Sequence, residues 1–548
     1  MRWRAPRSTS LLLAVLAVTA APAAAAQVQS DSDLVQSACH LPHEQLLRIA
    51  RGTRTDRSGE LQIVPKQPNY VAGGYSHAGP WNYLQRVPVF WYGPGFVRGK
   101  GRMSAPVTSA DIAPTEASLL NFDGFRPPDG KPMPGALAPP ASRPQPPQLL
   151  VTLVWDAGGL DVLNTWKKEW PYLRSLIPDG VWYDNATVGS SPSNTPPIHA
   201  TIGTGAYPRS NGMLDEYMRA GNIIKSNDLG PAMLMEPTLA DLYDRAMGNR
   251  PIVGEVATLS AHLSMMGHGS MWGGGDKDIA VTRENPIATT GGAEGNTWNL
   301  TPAMAPYYTL PPFVNDVPGF ASDVHKLDQA DGAIDGKWGS DSIASLAGGF
   351  DTPARIPYET RLIEQLVTKE GFGADRTPDL LFLNYKVIDT IGHIFSLNST
   401  EMRDSVQAQD AALKTLIDFL NRQVGSGKWA MVVTADHGHQ FDPAVSGAFQ
   451  IDVNRLGSAI TTAFDDADGV PVVQRIRPTQ IWLNMAELEQ NGHTVDQVAR
   501  FVAGLTEQET AKRGVKVPSA EAATPVFSSA FPSSILSRLP CLASAGTG

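Results

Sequence analysis

The sequence predicts a doubly wound α/β fold, a mostly parallel sheet with helices on both faces. Three observations predict it. First, Leu149 to Trp155, Leu380 to Tyr385 and Trp429 to Val433 are continuous or nearly continuous apolar runs. A strand that is apolar at successive positions, not at alternate ones, has both faces covered. Second, helical patterns intervene near 160–176, 237–247, 355–371 and 402–423, and recur at 494–505. Strands alternating with helices make parallel crossover units. Third, Asp156, Asp389 and Asp436 stand at or just past the ends of the three runs. In such sheets function collects beyond the carboxyl ends of the strands.

The 548 residues are 42% hydrophobic and 18% charged. These are ordinary globular values, which exclude wholesale disorder, collagen and coiled coil. Lys plus Arg number 44 against 54 Asp plus Glu, a net charge of −10. That balance speaks against a nucleic-acid binder working through a basic surface. Two cysteines, Cys39 and Cys541, are too few for a disulfide scaffold or a Cys-rich zinc protein. At the front, Arg2, Arg4 and Arg7 precede the apolar run Leu11 to Ala21 and the small residues Ala24-Ala25-Ala26. This predicts a cleavable signal peptide over 1–26; as a membrane anchor the run is too short and too rich in Ala. Its removal takes the charge from −10 to −13, since three Arg are lost. The chain would then be periplasmic or secreted, with no membrane span and with disulfides permitted.

The elements follow in order. Residues 27–58 are polar and predicted to be loosely ordered, apart from a short helix around Glu44 to Ala50. Leu61 to Pro65 and Val87 to Tyr92 read as strands, the second ended by Gly93-Pro94-Gly95. Asp111 to Leu120 reads as a helix with Asp111 as N-cap. Residues 126–148 are dense in Pro and form a stiff, extended linker. The main α/β region runs over 149–541, and its weakly periodic, Gly-rich part at about 260–350 reads as an inserted cap.

Four motifs carry chemistry. Asp436-His437-Gly438 follows an apolar strand, and a carboxylate beside an imidazole suits a dication; alone it also fits a surface turn. Asp389 and His393 are four apart, a spacing that lets both face one ion, though many such pairs are merely solvated. Asp156 ends the first run, as a ligand or as a turn Asp. In Ser193-Asn194-Thr195-Pro196-Pro197, Thr195 sits where a helix could begin, with Pro196 at its first position. A hydroxyl there is either a plain cap or a nucleophile favoured by the helix dipole and a nearby dication.

Taken together, and in this order, the motifs resemble the alkaline phosphatase superfamily, most closely its type I phosphodiesterase/nucleotide pyrophosphatase branch. Thr204-Gly205-Ala206-Tyr207-Pro208 adds that branch's Thr-Gly-x-x-Pro. The resemblance implies two Zn²⁺ ions, with other divalent metals as alternatives, and a phosphodiester, phosphomonoester or phosphonate as small-molecule substrate. Seven ligands are needed, the last a His lying after Asp-His-Gly. Here only His439 and His493 follow; His439 is too close and His493 lies in a turn.

The missing ligand is expected at the front. Gly74-Tyr75-Ser76-His77, the Val87 to Tyr92 strand and Asp111-Ile112-Ala113-Pro114-Thr115 resemble the superfamily's C-terminal end. This implies a circular permutation in which residues 27–125 are the usual C-terminal segment. It places the two chain ends together, so Cys39 and Cys541 are expected to form a disulfide.

The resemblance thus implies one zinc on Asp389, His393 and His77, and another on Asp156, Asp436, His437 and the Thr195 oxygen. Thr195 would attack phosphorus, giving a phospho-threonine. Asn194, Glu216 and His262 are expected to touch substrate. The Asn that many relatives carry about twenty residues past the nucleophile is replaced by Met213-Leu214-Asp215-Glu216. Their Lys-x-Arg clamp is replaced by Ser260-Ala261-His262, with His268 beyond it, and this favours diesters, phosphonates or an unusual substrate. A sulfatase is excluded, because no Cys-x-Pro-x-Arg motif occurs. The competing class is a secreted, catalytically inactive metal-binding or scaffold protein of the same fold.

Overall fold

The computed structural model describes residues 31–143, 145–226, 230–267, 276–283, 298–466 and 468–543. The expected signal peptide and His268 lie outside the described residues. The strands that matter below are β1 (Leu61–Pro65), β2 (Val89–Tyr92), β3 (Gly101–Thr108), β4 (Leu149–Trp155), β5 (Val181–Thr187), β6 (Val253–Val256) and β7 (Asp278–Val281). They continue with β8 (Tyr308–Thr309), β9 (Asp379–Tyr385), β10 (Trp429–Thr434), β11 (Val473–Arg477), β12 (Gln480–Leu483) and β13 (Phe527–Pro532).

The described residues form a nine-stranded central sheet in the order β8-β7-β6-β9-β4-β10-β2-β5-β3. It is parallel except around β2, which runs antiparallel to both β10 and β5. β4, β9 and β10 lie at its centre, buried at every position. Alternate residues face opposite cores. Leu149, Val151, Leu153 and Trp155 join one cluster, while Leu150 and Val154 join the other. This is why the three runs show no period-two alternation.

The helices named below are α1 (Asp31–Cys39), α2 (His43–Gly52), α3 (Ile112–Leu119), α4 (Thr195–Thr204), α5 (Arg355–Glu370), α6 (Val387–Phe395), α7 (Thr400–Leu420) and α8 (Val495–Gly504). The first core takes its helical cover from α5, α6 and α7; the second takes it from α3 and α4. The mixed α/β architecture read from the sequence is the one observed.

Local differences have local causes. The pattern at 160–176 is two helices, Leu160–Thr165 and Pro171–Leu176, because Pro171 opens a new first turn. Residues 27–58 hold α2, where the short helix around Glu44 to Ala50 was expected, and also α1, where loose chain was expected. Leu34, Ala38, Leu46 and Ile49 on them enter a third core, shared with α8 and with a second sheet, β11-β12-β1-β13. These short helices have no apolar cover within their own stretch. Their partners lie hundreds of residues away, so local sequence hides them. β7 and β8, inside the expected cap, extend the edge of the central sheet next to β6.

Among its described residues the linker at 126–148 contains no α-helix or strand, only a 3₁₀ turn at Pro140–Ser142. Cys39 and Cys541 are disulfide-bonded, with Cα atoms 5.8 Å apart and a sequence separation of 502. No helix among the described residues is long and apolar enough to cross a membrane.

Candidate metal centre and active site

Five chain segments converge at the carboxyl edge of β4, β9 and β10. Asp156 follows β4 directly. The next residue, Ala157, has φ +59°, and this left-handed turn aims its N–H at Asp436 Oδ1, 2.9 Å away. Holding a non-Gly residue there costs about 1–3 kcal/mol, strain of a kind that collects at functional sites. α6 starts just past β9 and presents Asp389 and His393 one turn apart on one face. Gly392 between them is required by close packing: a Cβ there would lie 2.4 Å from the His439 ring.

Helix α4 begins at Thr195 itself, one residue earlier than the sequence suggested. Asn194 occupies the cap position without a side-chain cap bond, because its amide donates to Asp215 Oδ1 at 2.7 Å.

His77, from the front of the chain, reaches this edge. Its Nε2 lies 3.5 Å from Asp389 Oδ1, as does that of His393, and His437 Nε2 lies 4.0 Å from the same oxygen. The three rings share one device. Nδ1 of His77 donates to the Ser193 carbonyl at 3.0 Å, Nδ1 of His393 to Tyr75 at 2.8 Å and Nδ1 of His437 to Gly438 at 2.9 Å. A carbonyl partner fixes the proton on Nδ1 and leaves the Nε2 lone pair free. Those lone pairs point at a buried carboxylate oxygen that has no hydrogen-bond donor. Burial, reinforced by the neighbouring His437, pushes His77 well below its ordinary value, and burial likewise lowers His437. Neutral imidazole is the form that binds metal.

Asp156, Asp436 and His437 are all fully buried. His437 Nε2 lies 3.3 Å from Asp436 Oδ2, 3.7 Å from Asp156 Oδ1 and 3.5 Å from Thr195 Oγ1. Asp436 Oδ2 also lacks a donor. Burial, then the Asp156 charge, pushes the Asp436 carboxyl well above its ordinary value. Orphaned carboxylate oxygens facing imidazole lone pairs fit divalent cations, and the sets His77/Asp389/His393 and Asp156/Asp389/His437 each have the spacing to hold one.

All the residues expected as metal ligands therefore lie together. Of the three expected at substrate, Asn194 and Glu216 meet at Asp215, whose Oδ1 accepts from the Asn194 amide at 2.7 Å and from the Glu216 N–H at 2.6 Å. His262 faces Asp156 Oδ2 at 3.4 Å. Asn194 is bonded to Asp215, as above. Glu216 pairs with Arg477 at 2.7 Å.

Sequence reasoning missed two residues here, His199 and Lys386, and had named a third, His439, only to set it aside as too close. His199, fully buried on α4, accepts the Asn384 amide at Nε2, 2.9 Å away, and Asn384 also donates to Asp156 Oδ2 at 2.9 Å. His439 packs edge-on against His393, with ring centroids 5.1 Å apart. Burial, and then the neighbouring His393, pushes it down to about 3. Lys386, the residue between β9 and α6, places Nζ 2.9 Å from Asp156 Oδ1 and 2.8 Å from Asp389 Oδ2. It also donates to Thr195 Oγ1 at 3.0 Å. Burial alone would lower it, but Asp156, Asp389 and Asp436 raise it above its ordinary value, so it is an ammonium. The one signal available for Lys386 was its place, first past a central strand at the functional edge.

Comparison with known proteins agrees with this geometry. A protein from Myroides odoratus named calcium-transporting ATPase is 22% identical over 402 residues, covering 64% of this chain and 72% of that protein. The alkaline phosphatase PafA of Elizabethkingia meningoseptica is 29% identical over 87 residues, 16% of each chain. The crystal structure of wild-type PafA superposes with a TM-score of 0.50 at 16% identity, over 70% of this chain and 84% of that one, and so shares the fold. The family model for type I phosphodiesterase / nucleotide pyrophosphatase matches residues 150–539. The chain belongs to the type I phosphodiesterase / nucleotide pyrophosphatase family, within the alkaline phosphatase superfamily, and is a phosphoric ester hydrolase.

Proposed function

We propose that this hydrolase is exported and cleaves small phosphate esters with Thr195 as nucleophile, beside two divalent cations. His77, Asp389 and His393 would hold one cation; Asp156, Asp436, His437 and the Thr195 oxygen would hold the other. A donor set of imidazoles and carboxylates suits zinc. When bound, the cations would neutralise phosphoryl charge and favour ionised hydroxyl and water. The observation that carries the reading is the convergence of three imidazole Nε2 lone pairs on the donorless Asp389 Oδ1, next to Thr195.

The chain's own residues supply the rest. The start of α4 fixes the Thr195 hydroxyl and offers backbone N–H groups to phosphoryl oxygens. The Thr195 Oγ–P bond forms as the ester P–O bond breaks. The electron pair leaves with the ester oxygen, and the hydroxyl proton passes to solvent. Water then cleaves the phospho-threonine, restoring the hydroxyl and releasing phosphate.

The same reading takes the chain as circularly permuted. Supporting this, His77 comes from the front yet meets Asp389, β2 sits inside the central sheet, and the family match begins only at residue 150. Residues 27–125 then belong to the catalytic domain as its displaced end, with 126–148 as the linker into 149–541. The Cys39–Cys541 bond is consistent with an oxidising compartment, periplasmic or extracellular.

Thr195→Ala tests the nucleophile. Turnover of an aryl phosphate should fall by at least about 10³-fold, in the range of other nucleophile deletions, with bound metal retained. Near-normal rates in that variant would falsify the assignment. Two cations per chain with no turnover by the wild type would instead support the inactive-scaffold class.

A further inference from the structure

Lys386 is a charged group that the motif pattern leaves without a role. An ammonium has three N–H bonds, and here three oxygens take them: Asp156 Oδ1, Asp389 Oδ2 and Thr195 Oγ1. Only 12% of the side chain is exposed. The two carboxylates belong to different proposed cation sets, so the ammonium stands between those sets and against the nucleophile. It uses Asp389 Oδ2 and leaves Oδ1 to the imidazoles. It can only donate, so it is no base toward Thr195; it stabilises negative charge on Oγ and on whatever Oγ attacks.

We propose that Lys386 is a catalytic residue that clamps the phosphoryl group of a phosphomonoester dianion and biases the Thr195 site toward monoesters. The proposal rests on the Thr195 reading. A group bonded to the attacking oxygen lies beside the non-bridging oxygens of the phosphorus that oxygen attacks. A monoester carries two charges over three such oxygens; a diester carries one charge over two, with an ester group in the third place. A fixed cation therefore gains more from the monoester.

The other candidates for such a clamp are engaged. Arg477, near the Asn194–Asp215 pair, holds Glu216 at 2.7 Å, and His262 in the expected clamp loop faces Asp156. Lys386 thus supplies, from the β9 edge, the charge that the sequence lacks at 260–262. During transfer it keeps all its protons. The bond made is Oγ–P, the bond broken is P–O of the ester, and the leaving oxygen takes the electron pair.

The test compares Lys386→Met with the wild type on p-nitrophenyl phosphate and bis-p-nitrophenyl phosphate, which share a leaving group. The kcat/KM on the monoester should fall about 10²–10³-fold, the size seen when one oxyanion donor is removed, while the diester, which loses only the shared stabilisation of Oγ, should fall at least about tenfold less. Orthophosphate binding, followed by calorimetry, should weaken at least about tenfold, as expected for one charge-assisted contact. Lys386→Arg, which keeps the charge, should retain the monoester preference.

Equal losses on both esters, or unchanged orthophosphate affinity in Lys386→Met, overturn the proposal. If the wild type cleaves neither ester, the hydrolase reading fails separately, and the orthophosphate titration still decides on the clamp. Metal content of the variant should stay at the wild-type level; a loss of metal with phosphate affinity intact assigns Lys386 to holding the carboxylates and overturns it too.

Discussion

Backbone carbonyls place the protons on three imidazoles of the centre, so each ring arrives with its Nε2 lone pair bare. His77 is the decisive one, because it comes from a segment that the family match does not include. Its replacement by Ala should reduce bound dication from about two to about one per chain, since a three-residue set loses a ligand while the other stays intact. Elemental analysis of purified protein reads this, and retention of two ions would remove His77 from the ligand set. At this scale the sequence was legible wherever residue types recurred in a motif: Asp156, Thr195, Asp389, His393, Asp436 and His437 all meet. It was illegible for Lys386 and His199. A lone Lys or His has no spacing partner to mark it, and its role appears only when strands 200 or more residues apart place their ends side by side.

Among the elements, α3 carries an instructive strain. Glu116 on it is fully buried and accepts the Thr152 hydroxyl of β4. Burial, opposed only by that bond, pushes its carboxyl from 4.5 up to about 7. The native state therefore holds a proton that the unfolded chain releases. Stability falls as pH rises from about 4.5 to about 7, then stays reduced, by about 3 kcal/mol at most. Glu116→Gln should unfold at higher urea than the wild type at pH 8, by about 1–3 kcal/mol, with the gap closing near pH 4. A gap independent of pH would show that charge is not the cause. Elements were legible where burial is two-sided, as in β4, β9 and β10, and where a helix is long, as in α5 and α7. They were illegible in α1, whose apolar face packs on β13 and α8, far off in the chain. The inner break at Pro171 was in plain sight but was outweighed by the surrounding periodicity.

The whole molecule is tied at its ends. A bond between Cys39 and Cys541 crosses a sequence separation of 502 and fastens the third core. Cys39→Ser with Cys541→Ser should lower stability by about 2–5 kcal/mol, the usual range for a native disulfide. A melting curve with and without reductant checks this, and an unchanged midpoint would show that the second sheet holds without it. The double-wound class was legible from pattern alone, while the second sheet was not, because its strands come from opposite ends of the chain. β1 lies between β12 and β13. During synthesis, then, β1 emerges early and must wait unpaired until the last eighth of the polypeptide leaves the ribosome. Such late closure makes folding slow, and a C-terminally clipped chain should lack a finished second sheet.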